Sequence, residues 1–198
     1  KLSRERMVLE VKAFEAWEAV LGEELSAKFL PKVMLFDAES MLFVMEYLGS
    51  YLLLDAMLYE GKPDLGVAMR LGEFMGLIHA KTHSSLIDAK QAESYTESFA
   101  NKMMRDIQLE YVFTKCFRDS ERGAGLREDA VLMQEVDKLK DLYRGKDSSN
   151  LSLLHGDLHP GSVMVDADRG LAKVIDPEFA IFGPPGLDVG SLFSGYIL

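Results

Sequence analysis

From residue 3 to residue 21, apolar side chains recur every third or fourth position, at Met7, Leu9, Val11, Phe14, Trp17, Val20 and Leu21, with glutamates and lysines between them. That period predicts an amphipathic helix ending near Gly22. The pattern then switches to two short β-rich runs, 32–36 and 41–47, separated by Asp37-Ala38-Glu39-Ser40, which predicts a hairpin. Gly49-Ser50 breaks it, and 53–59 reads as a short helix stopped by Gly61-Lys62-Pro63. Leu65, Met69, Leu71, Phe74, Met75, Leu77 and Ile78 predict a long helix within 64–83. Further helices are expected over about 94–111 and 128–143, with loops at 118–127 and 146–150. No internal repeat or low-complexity tract interrupts this order.

The last fifty residues change character. A short apolar run, 151–154, leads into His155-Gly156-Asp157-Leu158-His159-Pro160-Gly161-Ser162. The runs 163–165 and 171–175 flank Asp166-Ala167-Asp168-Arg169-Gly170, a hairpin in which glycine supplies the left-handed position. A hairpin in front, helices in the middle and a polar loop with a second hairpin behind define an α+β class.

Composition narrows the function classes. The 198 residues carry a net charge of −10, with 48% hydrophobic residues and a single cysteine. An acidic balance of this size argues against nucleic acid or a basic membrane surface as partner. No apolar run reaches the length of a membrane span, and no secretory signal pattern opens the chain. Cys116 alone makes no internal disulfide, so a cytoplasmic location is expected. The chain starts at Lys1 and stops at Leu198 within an apolar run, and it reads as a fragment.

The second hairpin carries the chemistry. Asp157 precedes its first strand and Asp176 follows its second, so pairing brings them together with Glu178 on one side. Clustered carboxylates repel unless something positive lies between them, and Mg²⁺ with a phosphate chain meets that need. The order also matches the protein-kinase template: His155-Gly156-Asp157 stands where His-Arg-Asp would, Ser162 follows Asp157 by five positions, and Asp176-Pro177-Glu178 stands where Asp-Phe-Gly would. A His-Asp-His hydrolase metal site using His155, Asp157 and His159 is the rival, and His79 and His83 read as a solvated or capping pair.

Leu154-His155-Gly156-Asp157-Leu158-His159-Pro160-Gly161 resembles the catalytic loop of the aminoglycoside phosphotransferase and choline kinase group, which has a protein-kinase-like fold. Within that group, the run from Gly161 to Val165, then Val174-Ile175-Asp176-Pro177-Glu178-Phe179-Ala180, Phe182-Gly183-Pro184 and Gly186-Leu187-Asp188-Val189-Gly190, is similar to the S-methyl-5-thioribose kinase family. Phe99, Asn101, Asp106-Ile107, Val112-Phe113-Thr114 and Phe117 resemble its middle helices, whereas Lys115-Cys116 departs from a more acidic, proline-containing pair.

The resemblance implies ATP-dependent phosphorylation of the 1-hydroxyl of 5-methylthioribose in methionine salvage, with ATP and Mg²⁺ as cofactors. It implies the end of an N-terminal lobe over 1–48 and a truncated helical C-terminal lobe over 49–198. Asp157 would be catalytic, and Asp176 and Glu178 would bind the metal, with Ser162 a weaker ligand. The Glu46 carbonyl and Leu48 amide would face the adenine edge, with Met45 lining the pocket. His155, His159 and Asp188 would support the loop, Asp188 as a helix N-cap, and Glu10 would pair with the phosphate-binding lysine. That lysine and its glycine-rich turn would precede Lys1, and the sugar-holding basic residues would follow Leu198, so the isolated chain is expected to show little activity. A related aminoglycoside, choline or homoserine kinase and a non-catalytic nucleotide-binding module are the alternatives. Oligomeric state stays open, a homodimer included.

Overall fold

A computed structural model describes residues 4–197, so Lys1 and Leu198, on which the fragment reading rests, and Ser3 at the expected start of the first helix lie outside the described residues. Helix α1 (Glu5–Leu21) buries Val11, Phe14, Trp17 and Leu21 and stops at Gly22, whose φ of 81° no side-chain-bearing residue adopts as easily. Helix α2 (Glu23–Phe29) follows, then the expected hairpin of β1 (Val33–Asp37) and β2 (Leu42–Met45), antiparallel with a register shift between Val33 and Leu35. The Asp37 carboxylate accepts from the Glu39 and Ser40 amides and closes its turn.

Past the turn at Gly49, a two-residue strand β3 (Leu52–Leu53) precedes α3 (Leu54–Tyr59). Helix α4 (Leu65–Thr82) begins where Asp64 accepts from the Val67 amide at 2.9 Å, and it sends Val67, Leu71, Phe74 and Ile78 into the core. The single helix expected over 94–111 is instead two, α5 (Ala89–Ser98) and α6 (Lys102–Glu110). They break at Asn101, whose φ of 38° lies in the left-handed region. A wider π-helical turn (Tyr111–Lys115) and α7 (Cys116–Arg118) carry α6 on, and the stretch 118–127 expected as a loop holds a 3₁₀ turn (Glu121–Gly123) and α8 (Ala124–Arg127). Helix α9 (Ala130–Tyr143) is capped by Asp129.

Two small ladders then frame the polar loop. Strand β4 (Ser152–Leu154) leads into it, and a 3₁₀ turn (Pro160–Ser162) leads out into β5 (Val163–Asp166). Strand β6 (Leu171–Val174) completes the second hairpin, with Val163 opposite Val174 and Asp166 opposite Leu171. Strand β3 adds to its other edge, Leu52 opposite Val165. Strand β7 (Ile181–Gly183) returns to pair with β4, Leu154 opposite Ile181, and α10 (Gly186–Ile197) closes the chain. One core joins α1, α4 and the second hairpin, with Trp17 edge-on to Phe74 at 5.5 Å.

Candidate active site

The loop from His155 to Ser162 is bracketed by two ladders at once. Leu154 pairs with Ile181 on one side, and on the other the Ile175 amide donates to the Ser162 carbonyl at 3.0 Å, continuing the second hairpin. These pairings return 175–181 to the loop that began twenty residues earlier. Asp157 and Glu178 are thereby half-buried and Asp176 is exposed, all within electrostatic reach of one another.

The backbone of the loop is held from behind. Asp188, 1% exposed, accepts from the His155 amide through Oδ2 and the Gly156 amide through Oδ1, both at 2.9 Å. It lies within the first turn of α10 rather than at the expected N-cap position, but its carboxylate does hold the loop's amides, the other half of the expectation. His79 on α4 meets the same Oδ2 at 3.1 Å. Gly156 has a φ of 85°, and a Cβ there would stand 2.0 Å from the Phe179 carbonyl oxygen, so only glycine lets the two segments approach this closely.

His155 is buried, its ring stacked on Trp17 at 6.0 Å with 17° between planes. Its Nε2 lies 2.9 Å from the Ile175 carbonyl, which only accepts, so Nε2 carries the proton and Nδ1 takes the Asp157 amide at 3.3 Å. Burial depresses its pKa and keeps it neutral, against the pull of Asp188. Both nitrogens are therefore engaged, which removes His155 from any His-Asp-His metal site. His83 is likewise engaged, with Ser85 and Asn150. Among the described residues, no three His, Cys, Asp or Glu groups form a ready metal cluster.

Asp157 has its pKa raised, first by burial and further by Asp176 and Asp188, with His159 opposing. His159 accepts from the Gly161 amide through Nδ1 and presents Nε2 3.7 Å from Asp157 Oδ2. Ser162 donates its hydroxyl to the Asp157 carbonyl at 3.0 Å and is 4% exposed, so its proton serves the loop and only its lone pairs are left for a cation. Asp176 sits at a φ of 60°, a strained conformation for a residue with a side chain. Glu178 is raised by burial and by Asp176, and Arg6 on α1 meets its Oε2 at 2.6 Å. One turn along α1, burial first and then Asp176 and Glu178 push Glu10 up to about 7. Mg²⁺ is commonly bound by one or two carboxylates with water and substrate phosphate filling its other positions, so Asp176 and Glu178 fit that cation although no three-ligand protein cluster stands ready among the described residues.

Glu46, Leu48 and Met45, expected at an adenine edge, lie at and after the end of β2. Glu46 follows β2, and its amide donates to the Lys32 carbonyl. Burial would raise its carboxyl, but Lys173 at 2.7 Å and the Lys32 amide hold it below the usual range. Lys173 is itself buried on β6 and also donates to the Leu30 carbonyl, so it ties the end of α2 and Glu46 to the second hairpin. Leu48 is buried and Met45 half-buried.

Two side chains, one just before α6 and one within it, have no role assigned from the sequence. Asn101 donates through Nδ2 to the carbonyls of Glu178 at 3.0 Å and Ala180 at 3.1 Å. Gln108, within α6, donates to the Gly156 carbonyl at 2.7 Å and accepts from the Tyr143 hydroxyl at 2.5 Å. The start of α6 and its Gln108 thus brace both halves of the site. A polar amide at each end of an otherwise amphipathic segment was the available signal.

A lobe of helices carrying a carboxylate loop and a following carboxylate motif on adjoining hairpins defines a phosphotransferase with a protein-kinase-like fold. The family model described as the phosphotransferase enzyme family (APH) matches residues 9–197, and the chain belongs to that family. The chain is similar to a methylthioribose kinase of Geobacillus kaustophilus (strain HTA426), 32% identical over 204 residues that cover 100% of this chain and 50% of that protein. A methylthioribose kinase of Escherichia coli O45:K1 (strain S88) is 34% identical over 179 residues, 85% of this chain and 42% of the relative. One from Exiguobacterium sibiricum is 32% identical, covering 98% and 50%. The chain spans about half the length of these curated relatives.

Proposed function

We propose that this chain carries the catalytic loop and metal motif of an ATP-dependent kinase that phosphorylates the 1-hydroxyl of 5-methylthioribose, a step of methionine salvage. The observation that carries the reading is that Asp157, Asp176 and Glu178 lie within electrostatic reach of one another beside a loop whose amides are held by Asp188. The similarity to methylthioribose kinases over the whole chain supports the choice of substrate. Asp157 orients the sugar hydroxyl and takes its proton, a role suited to a half-buried carboxylate with a raised pKa. Asp176 and Glu178 would hold Mg²⁺, which when bound supplies positive charge to the transferring phosphate. His159 limits how far the Asp157 pKa rises. The Glu46 carbonyl and Leu48 amide face the adenine edge, Met45 lines that pocket, and the lobes divide between 48 and 49. Among the described residues no helix is long and apolar enough to cross a membrane. We assign the work to the cytoplasm, on a small-molecule sugar.

The test is a substrate panel on purified protein containing this chain. Methylthioribose should be phosphorylated with a higher kcat/KM than aminoglycosides, choline or homoserine, and preference for another alcohol would overturn the substrate. Asp157→Ala should abolish turnover while ATP–Mg²⁺ binding persists. Binding of ATP–Mg²⁺ by the unaltered protein with no turnover of any alcohol would favour a non-catalytic nucleotide-binding module.

A further inference from the structure

Helix α1 presents one face to the site. Arg6, Glu10 and Trp17 lie four and then seven positions apart, so successive side chains differ by about 40° or less around the axis. Trp17 packs on His155 of the catalytic loop, Glu10 lies within electrostatic reach of Asp176 and Glu178, and Arg6 donates through Nη1 to Glu178 Oε2 at 2.6 Å. The Glu178 side chain is only 14% exposed, whereas Arg6 reaches in from the surface at 42%. Asp176 and Asp157 act on Glu178 as like charges and Arg6 as the opposite one, and Arg6 lowers Glu10 as well. The guanidinium therefore occupies the position of a counter-ion for an acidic cluster that fits a divalent cation.

We propose that Arg6 is a positioning residue that competes with the divalent cation for the Glu178 carboxylate, latching the start of α1 to the Asp176-Pro177-Glu178 motif until the cation takes its place. The inference rests on the reading of Asp176 and Glu178 as metal ligands. Two cations on one carboxylate repel each other, and the repulsion grows as water is excluded. Metal entry then costs the Arg6–Glu178 pair, and losing that pair frees the first turns of α1. The metal would thus couple the motif to the helix that also stacks on the catalytic loop.

The experiment is titration of the purified chain with Mn²⁺ alone, without nucleotide or sugar, following the free ion by its electron paramagnetic resonance signal. Arg6→Gln should bind Mn²⁺ about threefold to tenfold more tightly than the unaltered chain, about 0.7–1.4 kcal/mol at 1.4 kcal/mol per tenfold. Arg6→Lys, which keeps the charge, should stay near the unaltered affinity. In a Glu178→Gln background the further change of Arg6 should have no effect. Equal or weaker Mn²⁺ binding by Arg6→Gln overturns the latch, as does a full gain that persists without Glu178. Mn²⁺ binding at equal affinity leaves the metal-ligand reading intact, whereas no binding by either protein removes both.

Discussion

Asp188 Oδ1 lies 2.9 Å from the amide nitrogen of Gly156, although 32 positions separate them in the chain. The same carboxylate takes the His155 amide through its other oxygen, so a single buried side chain sets the backbone path into Asp157. Asp188→Asn keeps one acceptor and turns an NH₂ toward a backbone N–H that it cannot satisfy. Hydrogen bonds to a charged acceptor contribute about 1.5–3 kcal/mol each, so this variant should lose about 2–3 kcal/mol of stability. Urea unfolding checks it, and an unchanged midpoint would refute the assignment.

Two glycines with positive φ should respond differently to a methyl group. At Gly156 the added Cβ meets the Phe179 carbonyl oxygen at 2.0 Å, whereas at Gly170, with φ 62°, nothing lies within 4 Å. Gly170→Ala should cost about 1–2 kcal/mol from backbone strain alone. Gly156→Ala adds a clash with main chain that cannot move without opening the β4–β7 ladder, and it should fold poorly or lose clearly more. Comparable thermal midpoints for the two variants would contradict this.

The brace from α6 predicts an asymmetry. Burial raises the Tyr143 phenol, which stays protonated and donates to Gln108, while Gln108 donates to the Gly156 carbonyl. Gln108→Leu strands both the Gly156 carbonyl and the Tyr143 hydroxyl, at about 1–3 kcal/mol for each unsatisfied buried group. Tyr143→Phe leaves only one Gln108 acceptor unmet and should cost about half as much. Chemical denaturation of the two single variants reads the difference directly.

Glu10 gives a pH dependence with a definite sign. Its ordinary value of 4.5 is raised to about 7 in the fold, so between those limits the folded chain keeps a proton that the unfolded chain has released. Stability from this group therefore falls as pH rises through that window. Glu10→Gln should match the unaltered chain below pH 4.5 and exceed it by on the order of 1–3 kcal/mol above pH 7, in metal-chelated buffer. His155, buried and neutral, pulls the other way as pH drops below its ordinary 6.5, and it cancels in the difference between the two proteins. A difference that stays flat from pH 4 to 8, roughly the range spanning both titrations, would rule Glu10 out.

Local chemistry decided much of what could be read along the chain. Both hairpins, α1, α4 and α9 follow from side-chain periodicity and from turn and capping residues such as Gly22, Asp37, Asp64 and Gly170, whose effects act within a few positions. The carboxylates Asp157, Asp176 and Glu178 were identifiable because the hairpin between them is itself local. Other features depended on partners far away in sequence. The break at Asn101 exists because its amide serves the carbonyls of Glu178 and Ala180, and a helical period through 94–111 contains no trace of them. Strand β3 has two residues and no pattern of its own, and β4 and β7 become a ladder only once the chain between them has folded back.

The sequence by itself determined the class, the two hairpins with the main helices and the candidate carboxylates, because periodicity, turns and motif spacing are short-range properties. Only the tertiary structure decided how those carboxylates are held. Asp188 grips the loop's amides, Asn101 and Gln108 brace both halves of the site, and Arg6 meets Glu178 across 172 positions. Such contacts form where packing brings buried donors and acceptors together, and each group must find a partner there because water has been excluded.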